Sequence, residues 1–150
     1  MTEDNSVHYN KPYLCKLTLY NGTTKKLYDT NGDGILTYAK IGSYRTQMTI
    51  AEIGKACTSI GNNAFTGCTR LTSVTIPDSV RSIGSYAFDG CIGLTSVTVN
   101  ATTPPTLGGT SVFSNTNSCP IYVPSGSVSA YQTATNWSSY ASRIEAIPST

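Results

Sequence analysis

Ile60-Gly-Asn-Asn-Ala-Phe65-Thr-Gly-Cys68-Thr-Arg-Leu71-Thr-Ser-Val74-Thr-Ile76 returns 23 residues later as Ile83-Gly-Ser-Tyr-Ala-Phe88-Asp-Gly-Cys91-Ile-Gly-Leu94-Thr-Ser-Val97-Thr-Val99. Every apolar anchor of the first stretch recurs in the second. The frame extends backwards, where Met48, Ala51 and Ile53 stand 23 residues before Leu71, Val74 and Ile76, and Cys57 stands 23 before Val80. It extends forwards, with a slip of one or two residues, to Leu107, Phe113, Ile121 and Val123. All three phenylalanines of the chain, Phe65, Phe88 and Phe113, occupy one repeat position.

Such a period, carrying L-x-x-L-x-L, is the leucine-rich-repeat pattern. The alternation of Leu71, Val74 and Ile76 predicts a short strand with one buried face, and Ile-Gly-x-x-Ala-Phe predicts a turn or brief helix on the opposite side. One coil cannot bury its own apolar face, so neighbours must stack. The expected fold is therefore an α+β repeat solenoid, with strands 50–53, 73–76, 96–99 and 120–123 in a short parallel sheet and the phenylalanines in a column behind it.

The flanks read as caps. Leu14 to Tyr20 alternates, Asn21-Gly22 predicts a two-residue type I′ turn, and Thr23 to Tyr28 returns as the second strand of a β-hairpin. Thr37 is placed to N-cap a short helix through about Tyr44. Beyond the repeats, Val128, Tyr131 and Ala134 stand at helical spacing, followed by Trp137, Tyr140 and Ile144. The predicted organisation is an N-terminal arm (1–13), an N-terminal cap of hairpin and helix (14–47), repeats (48–124) and a helical C-terminal cap (125–150).

Composition narrows the function. Only 12 % of residues are charged, about half the usual ~25 %, and Ser, Thr, Asn and Gly take their place. The net charge is +2 with no basic run longer than Lys25-Lys26, which argues against nucleic acid, whose binding must neutralise several phosphates. No stretch is long and apolar enough to predict membrane insertion. The opening Met1-Thr-Glu-Asp-Asn5 lacks the basic and apolar regions of a secretory signal, so either a signal has been removed or the protein leaves its cell by another route. Five cysteines cannot all pair with one another. Cys68 and Cys91, stacked on one repeat position with parallel side chains, are expected to be buried free thiols rather than a disulfide.

The phrases IGNNAFTGCTRLTSVTIPDSV and IGSYAFDGCIGLTSVTV resemble the BspA-type, or Treponema-type, leucine-rich repeat. SYRTQMTIAEIGKACTSIG resembles its opening repeat, and TPPTLGGTSVF with CPIYVPSGSVSAYQTATNWSSYASRIEAI resembles its closing segment. The resemblance spans roughly residues 35–147. It implies a surface or secreted protein of gut and oral anaerobes, or of their phages, that works in adhesion and binding.

Asp29-Thr-Asn31-Gly-Asp33-Gly34 matches the opening of a calcium loop, but position 12, where a bidentate Glu belongs, is Lys40. The stretch is read as an Asx/Gly turn, with no metal and no cofactor expected. The eight carboxylates are scattered, the single His8 lies in the arm, and no nucleophile motif is present, so no catalytic residue is assigned and the chain is read as a non-enzyme. Candidate ligand-binding positions are the solvent-facing strand residues Thr49 and Glu52, Ser73 and Thr75, Ser96 and Thr98, and Tyr122. The same hydroxyls equally suit solvated strand positions. Tyr122, Tyr131, Trp137 and Tyr140 form either an aromatic contact region or the core of the end cap. The expected function is a surface recognition or adhesion module for protein or glycan on a host surface, extracellular, used in several copies or within an assembly. The alternative is a structural virion component such as a phage tail, fibre or decoration protein. Because four strands span only ~15 Å, binding is expected to draw in the region of Tyr122 and Trp137.

Overall fold

The computed structural model describes residues 12–148. The repeated Ser-Val-Thr-Ile/Val segments form β6 (Ser73–Ile76) and β8 (Ser96–Val99), joined by β4 (Met48–Ile53) before them and β10 (Ile121–Val123) after them. They run parallel, and the register follows the sequence period: Ser73 pairs with Ser96, Val74 with Val97 and Thr75 with Thr98. Val74, Ile76, Val97 and Val99 point inward and are buried, while the alternate Ser and Thr face outward. Period-2 alternation on a half-buried strand requires this division.

A second ladder was not legible in the sequence. Ile60 and Ile83, read there as the start of a turn or helix, belong to two-residue strands. These are β3 (Ile35–Leu36), β5 (Ser59–Ile60), β7 (Ser82–Ile83) and β9 (Thr106–Leu107), which make a four-stranded parallel sheet. The Ile side chains pack inward, and Ser59 and Ser82 share a 2.8 Å hydroxyl–hydroxyl bond on the other side. The Ala-Phe-x-Gly-Cys segments that follow are turns without helix. Between the two ladders Phe65, Phe88 and Phe113 stack with centroids 4.9 and 5.5 Å apart and planes within 11° of parallel.

The N-terminal hairpin consists of β1 (Tyr13–Leu19) and β2 (Thr24–Tyr28). Its turn is not the expected two-residue type I′. Leu19 N–H donates to Thr23 O, which leaves a three-residue loop, Tyr20–Gly22, and only Gly22 in it has positive φ (+88°). A type I turn closed by a left-handed glycine fits that loop length. The hairpin also does more than cover a coil: β1 pairs antiparallel with β4, so both strands join the repeat sheet. At the other edge β11 (Ile144–Ala146) pairs parallel with β10. The result is a seven-stranded sheet in the order β11-β10-β8-β6-β4-β1-β2. The edge strand of a repeat stack presents unpaired N–H and C=O groups, and the flanking segments pair with them.

Thr37 caps α1 (Tyr38–Ile41) by accepting from the Lys40 N–H, and the chain continues as a 3-10 turn from Gly42 to Thr46. The C-terminal helix α2 (Val128–Thr133) and the 3-10 segment Trp137–Arg143 close the other end. Tyr131 and Trp137 are buried there in edge-to-face contact at 4.9 Å. Of the predicted arm, residues 1–11 lie outside the described residues, and Tyr13 opens β1.

Within the repeats, backbone groups of one turn bond to the next turn: Phe65 N–H to Ala87 O at 2.7 Å and Gly67 N–H to Asp89 O at 3.0 Å. The first and last turns have no such neighbour, and side chains substitute. The buried Arg45 guanidinium donates to Ala64 O and Thr66 O, each at 2.9 Å, and to Tyr38 O at 2.8 Å. Ala64 and Thr66 are the residues one repeat before Ala87 and Asp89, so Arg45 stands in for the N–H groups of an absent coil. At the far end Phe113 N–H donates to the Tyr140 hydroxyl at 3.2 Å, which takes the place of an absent carbonyl. There Tyr131 Oη, Trp137 Nε1 and Asn136 Nδ2 donate to Ala101 O, Pro105 O and Leu107 O. Unpaired backbone groups at a buried end would be costly, and these side chains satisfy them.

The repeat carries backbone strain at Tyr86. Asn63 and Tyr86 are equivalent in the repeat and both have positive φ, 62° and 59°. Asn tolerates this region and a bulky aromatic does not. Tyr86 is exposed, so Tyr86→Asn is expected to stabilise the protein by about 0.5–1 kcal/mol. A urea midpoint that stays put or falls would contradict it.

Candidate functional site

The outward side chains of the seven-stranded sheet fall into rows fixed by register. One row runs Lys26–Lys16–Glu52–Thr75–Thr98–Tyr122–Glu145 across all seven strands. A second runs Thr24–Thr18–Ile50–Ser73–Ser96. Five of the predicted positions, Glu52, Ser73, Thr75, Ser96 and Thr98, share this face with Tyr122. Thr49 does not join them. Register places Ile50 opposite Ser73, and the Thr49 hydroxyl is spent on Thr18 O at 3.2 Å.

Thr49 instead begins a different row. Thr72 Oγ1 donates to Thr49 O at 3.0 Å and Thr95 Oγ1 to Thr72 O at 2.9 Å. These threonines, one per repeat at the entry to each strand, stitch consecutive coils together. Their hydroxyls are donated within the fold, whereas those of Thr75 and Thr98 make no hydrogen bond to another described residue.

The expected aromatic contact region separates into two. Tyr122 is half-exposed on the face, whereas Trp137 is 1 % exposed and Tyr131 is fully buried. Trp137 therefore packs the end cap instead of meeting a ligand: its indole N–H is satisfied 2.7 Å from Pro105 O. Aromatic residues with a polar handle are used this way where apolar bulk must close a polar edge. The sheet needs no help in width from Trp137, because the hairpin and β11 extend it. Six intervals of about 4.8 Å give a face about 29 Å across, against the ~15 Å expected from four strands.

The Asp29–Lys40 loop explains its own position-12 lysine. Lys40 Nζ lies 3.0 Å from Asp33 Oδ1 and also donates to Ile35 O. These are the oxygens at positions 5 and 7, where a calcium loop would place a cation. Asp33 is held below the usual carboxylate range, first by the Ile35 N–H and then by Lys40. Asp29 Oδ2 accepts from Gly34 N–H at 3.0 Å. Since an ammonium already holds the oxygens of positions 5 and 7 and position 12 supplies no carboxylate, millimolar calcium or a chelator is expected to leave the melting temperature unchanged. A calcium-dependent rise of several degrees, the mass-action signature of a real site, would contradict this.

No group of three or more His, Cys, Asp or Glu side chains arranged for a metal ion exists among the described residues. The five cysteines are free and buried. Burial pushes the Cys15 thiol well up and that of Cys57 to about 11, and Cys91 is raised by its contact with Cys68, whereas Cys68 is lowered, first by the Cys91 thiol and then by the neighbouring Arg45 guanidinium. His8, the one histidine, lies outside the described residues. No helix among the described residues is long and apolar enough to cross a membrane.

Comparison with curated proteins finds no match. Residues 40–145 match the BspA type leucine rich repeat region in six copies. Leucine-rich repeats of this kind are in general non-enzymatic modules for protein binding and adhesion, and BspA-type members are typically surface or extracellular proteins. With well over half its length matched, and with strands and turns repeating in the same register, the chain belongs to the BspA type leucine rich repeat family.

Proposed function

We propose that the chain is a recognition module whose ligand-contacting surface is the outer face of the seven-stranded sheet. On this reading the coils of residues 48–124 form a short solenoid, closed by caps at 14–47 and 125–150. The module acts outside the cell, on a cell surface or a phage particle, and attaches to protein or glycan on a host surface. The supporting observation is the in-register row Glu52–Thr75–Thr98–Tyr122 beside Ile50, Ser73 and Ser96, a face of four hydroxyl side chains with one carboxylate, one isoleucine and one aromatic.

Size sets the mode of binding. A face about 29 Å wide and four residues, or about 13 Å, deep covers about 400 Å². That is half of the roughly 800 Å² each partner gives to a standard protein interface. Attachment by this face therefore relies on several copies, where avidity multiplies weak contacts, or on a ligand with a small footprint.

The test replaces Ser73, Thr75, Ser96 and Thr98 by Lys and Tyr122 by Ala, with circular dichroism to verify folding, and measures attachment to host cells and to purified surface glycans. A drop of about tenfold or more is expected, equivalent to about 1.4 kcal/mol. Undiminished attachment by the folded variant would remove this face as the binding site.

A further inference from the structure

The ends of β4, β6 and β8 and the residues that follow them line an open cavity of about 400 Å³, bordered by Tyr13, Glu52, Lys55, Thr75, Pro77 and Asn100, among others. That volume is within the ~300–1,000 Å³ of small-molecule sites. Tyr13 arrives from the hairpin and lies against Gly54: a Cβ at 54 would overlap the Tyr13 carbonyl oxygen and fall 2.5 Å from ring carbon Cδ1. Only a glycine at 54 allows the ring to sit where it borders the cavity. The Tyr13 phenol is raised by partial burial and then by the Glu52 carboxylate, which places the two groups in one field.

The polar groups around this cavity are not used by the fold. The side chains of Glu52, Lys55, Thr75 and Asn100 make no hydrogen bond or ion pair with any other described residue. Their mixture selects among ligands. An anion would meet Glu52. A cation would meet Lys55, with Lys16 paired across from Glu52 and Lys26 Nζ 5.7 Å from the Tyr13 ring centroid. A wholly apolar ligand would leave carboxylate, ammonium and amide desolvated and unpaired. An extended peptide held by its backbone needs a free strand edge, and β4, β6 and β8 are all flanked on both sides.

From this we infer that the cavity is a binding site for a neutral saccharide, one or two sugar units at the end of a glycan. A sugar hydroxyl is one donor and two acceptor lone pairs on a single atom. It can therefore give to Glu52 and receive from Lys55 or Asn100, while a C–H face of the ring lies on Tyr13, whose π-face is negative. The inference rests on the recognition reading above and gives it a ligand class, since Glu52 and Thr75 belong both to the sheet face and to the cavity.

The experiment is titration of the ¹⁵N-labelled full chain, followed by amide shifts, with lactose, maltose and chitobiose. N-acetylneuraminic acid, lysyl-lysine and neutral trialanine are run beside them, each to about 50 mM, high enough to register millimolar affinity. At least one neutral disaccharide is expected to shift the amides of Glu52, Gly54, Lys55 and Asn100. Glu52→Gln and Asn100→Ala are each expected to weaken it about tenfold, as loss of a hydrogen bond to a charged or otherwise unpaired group should.

Ser129→Lys with Ser139→Lys, exposed in the C-terminal segment and part of neither the sheet face nor the cavity lining, should leave the disaccharide affinity unchanged. No response to any neutral sugar, shifts confined to other surfaces, unaltered affinity in Glu52→Gln and Asn100→Ala, or preference for lysyl-lysine, trialanine or the acidic sugar would each overturn the assignment. The two readings fail separately. Attachment lost in the sheet-face variant with no saccharide response removes the cavity alone, and a saccharide response with undiminished attachment removes the face alone.

Discussion

Phe88→Ala is expected to destabilise the protein by roughly 3–5 kcal/mol, the range for a buried phenylalanine truncated in a packed core. Phe88 is the middle ring of the stack, fully buried, with Phe65 on one face and Phe113 on the other. Truncation removes two ring contacts and leaves a void whose walls are other coils. Those walls cannot collapse inward without breaking register in both ladders. In a domain of this size the loss corresponds to a fall of about 10 °C in melting temperature. Thr75→Ala, on the outer face of β6, is the control and should stay within about 0.5 kcal/mol. Comparable losses from the two substitutions in urea melts would show that the faces are assigned wrongly.

Arg45→Met is expected to cost about 3 kcal/mol, with a range of about 2–5 kcal/mol, although it removes no carboxylate pair. Arg45 is only 9 % exposed, and Lys40–Asp33 is the one ion pair among the described residues. Its guanidinium is balanced by three carbonyl oxygens and by the Tyr38 ring, 3.7 Å from Cζ. Methionine preserves much of the bulk but strips Ala64 O and Thr66 O of their donor, and a buried carbonyl left unmade costs about 1–3 kcal/mol. Arg45→Lys should recover only part of the loss. A single ammonium on a flexible stem does not reproduce a planar fork that reaches Ala64, Thr66 and Tyr38 together. Full stability in Arg45→Met, measured as an unchanged urea midpoint at constant m-value, would mean that the first turn is sealed by something other than this guanidinium.

The repeat period, the Phe column, the parallel strands with Val and Ile inward, and the closing role open to the C-terminal aromatics could all be read from the chain. Each rests on side-chain periodicity, a property of consecutive residues. The face carrying Ser73, Thr75, Ser96 and Thr98 follows from the same alternation. Thr49 was one position out of register, because a β-branched polar residue suits a strand entry as well as an outward strand position. The sequence pattern there does not show where the hydroxyl donates. Ile60 and Ile83 looked like turn openings because a two-residue strand is too short to display a period.

The amino-acid sequence by itself determined which residues repeat, which of them are buried and which family of coils they build. Tertiary structure alone decided that the hairpin and β11 extend the sheet to seven strands, that Arg45 and Tyr140 replace the backbone of missing coils, and that Tyr13, Glu52, Lys55 and Asn100 meet at one cavity. The physical reason is range. Burial and alternation are set by neighbours along the chain and recur with the repeat. The ends of a stack break that repetition, and their unpaired backbone groups are satisfied by whichever distant side chain can reach them.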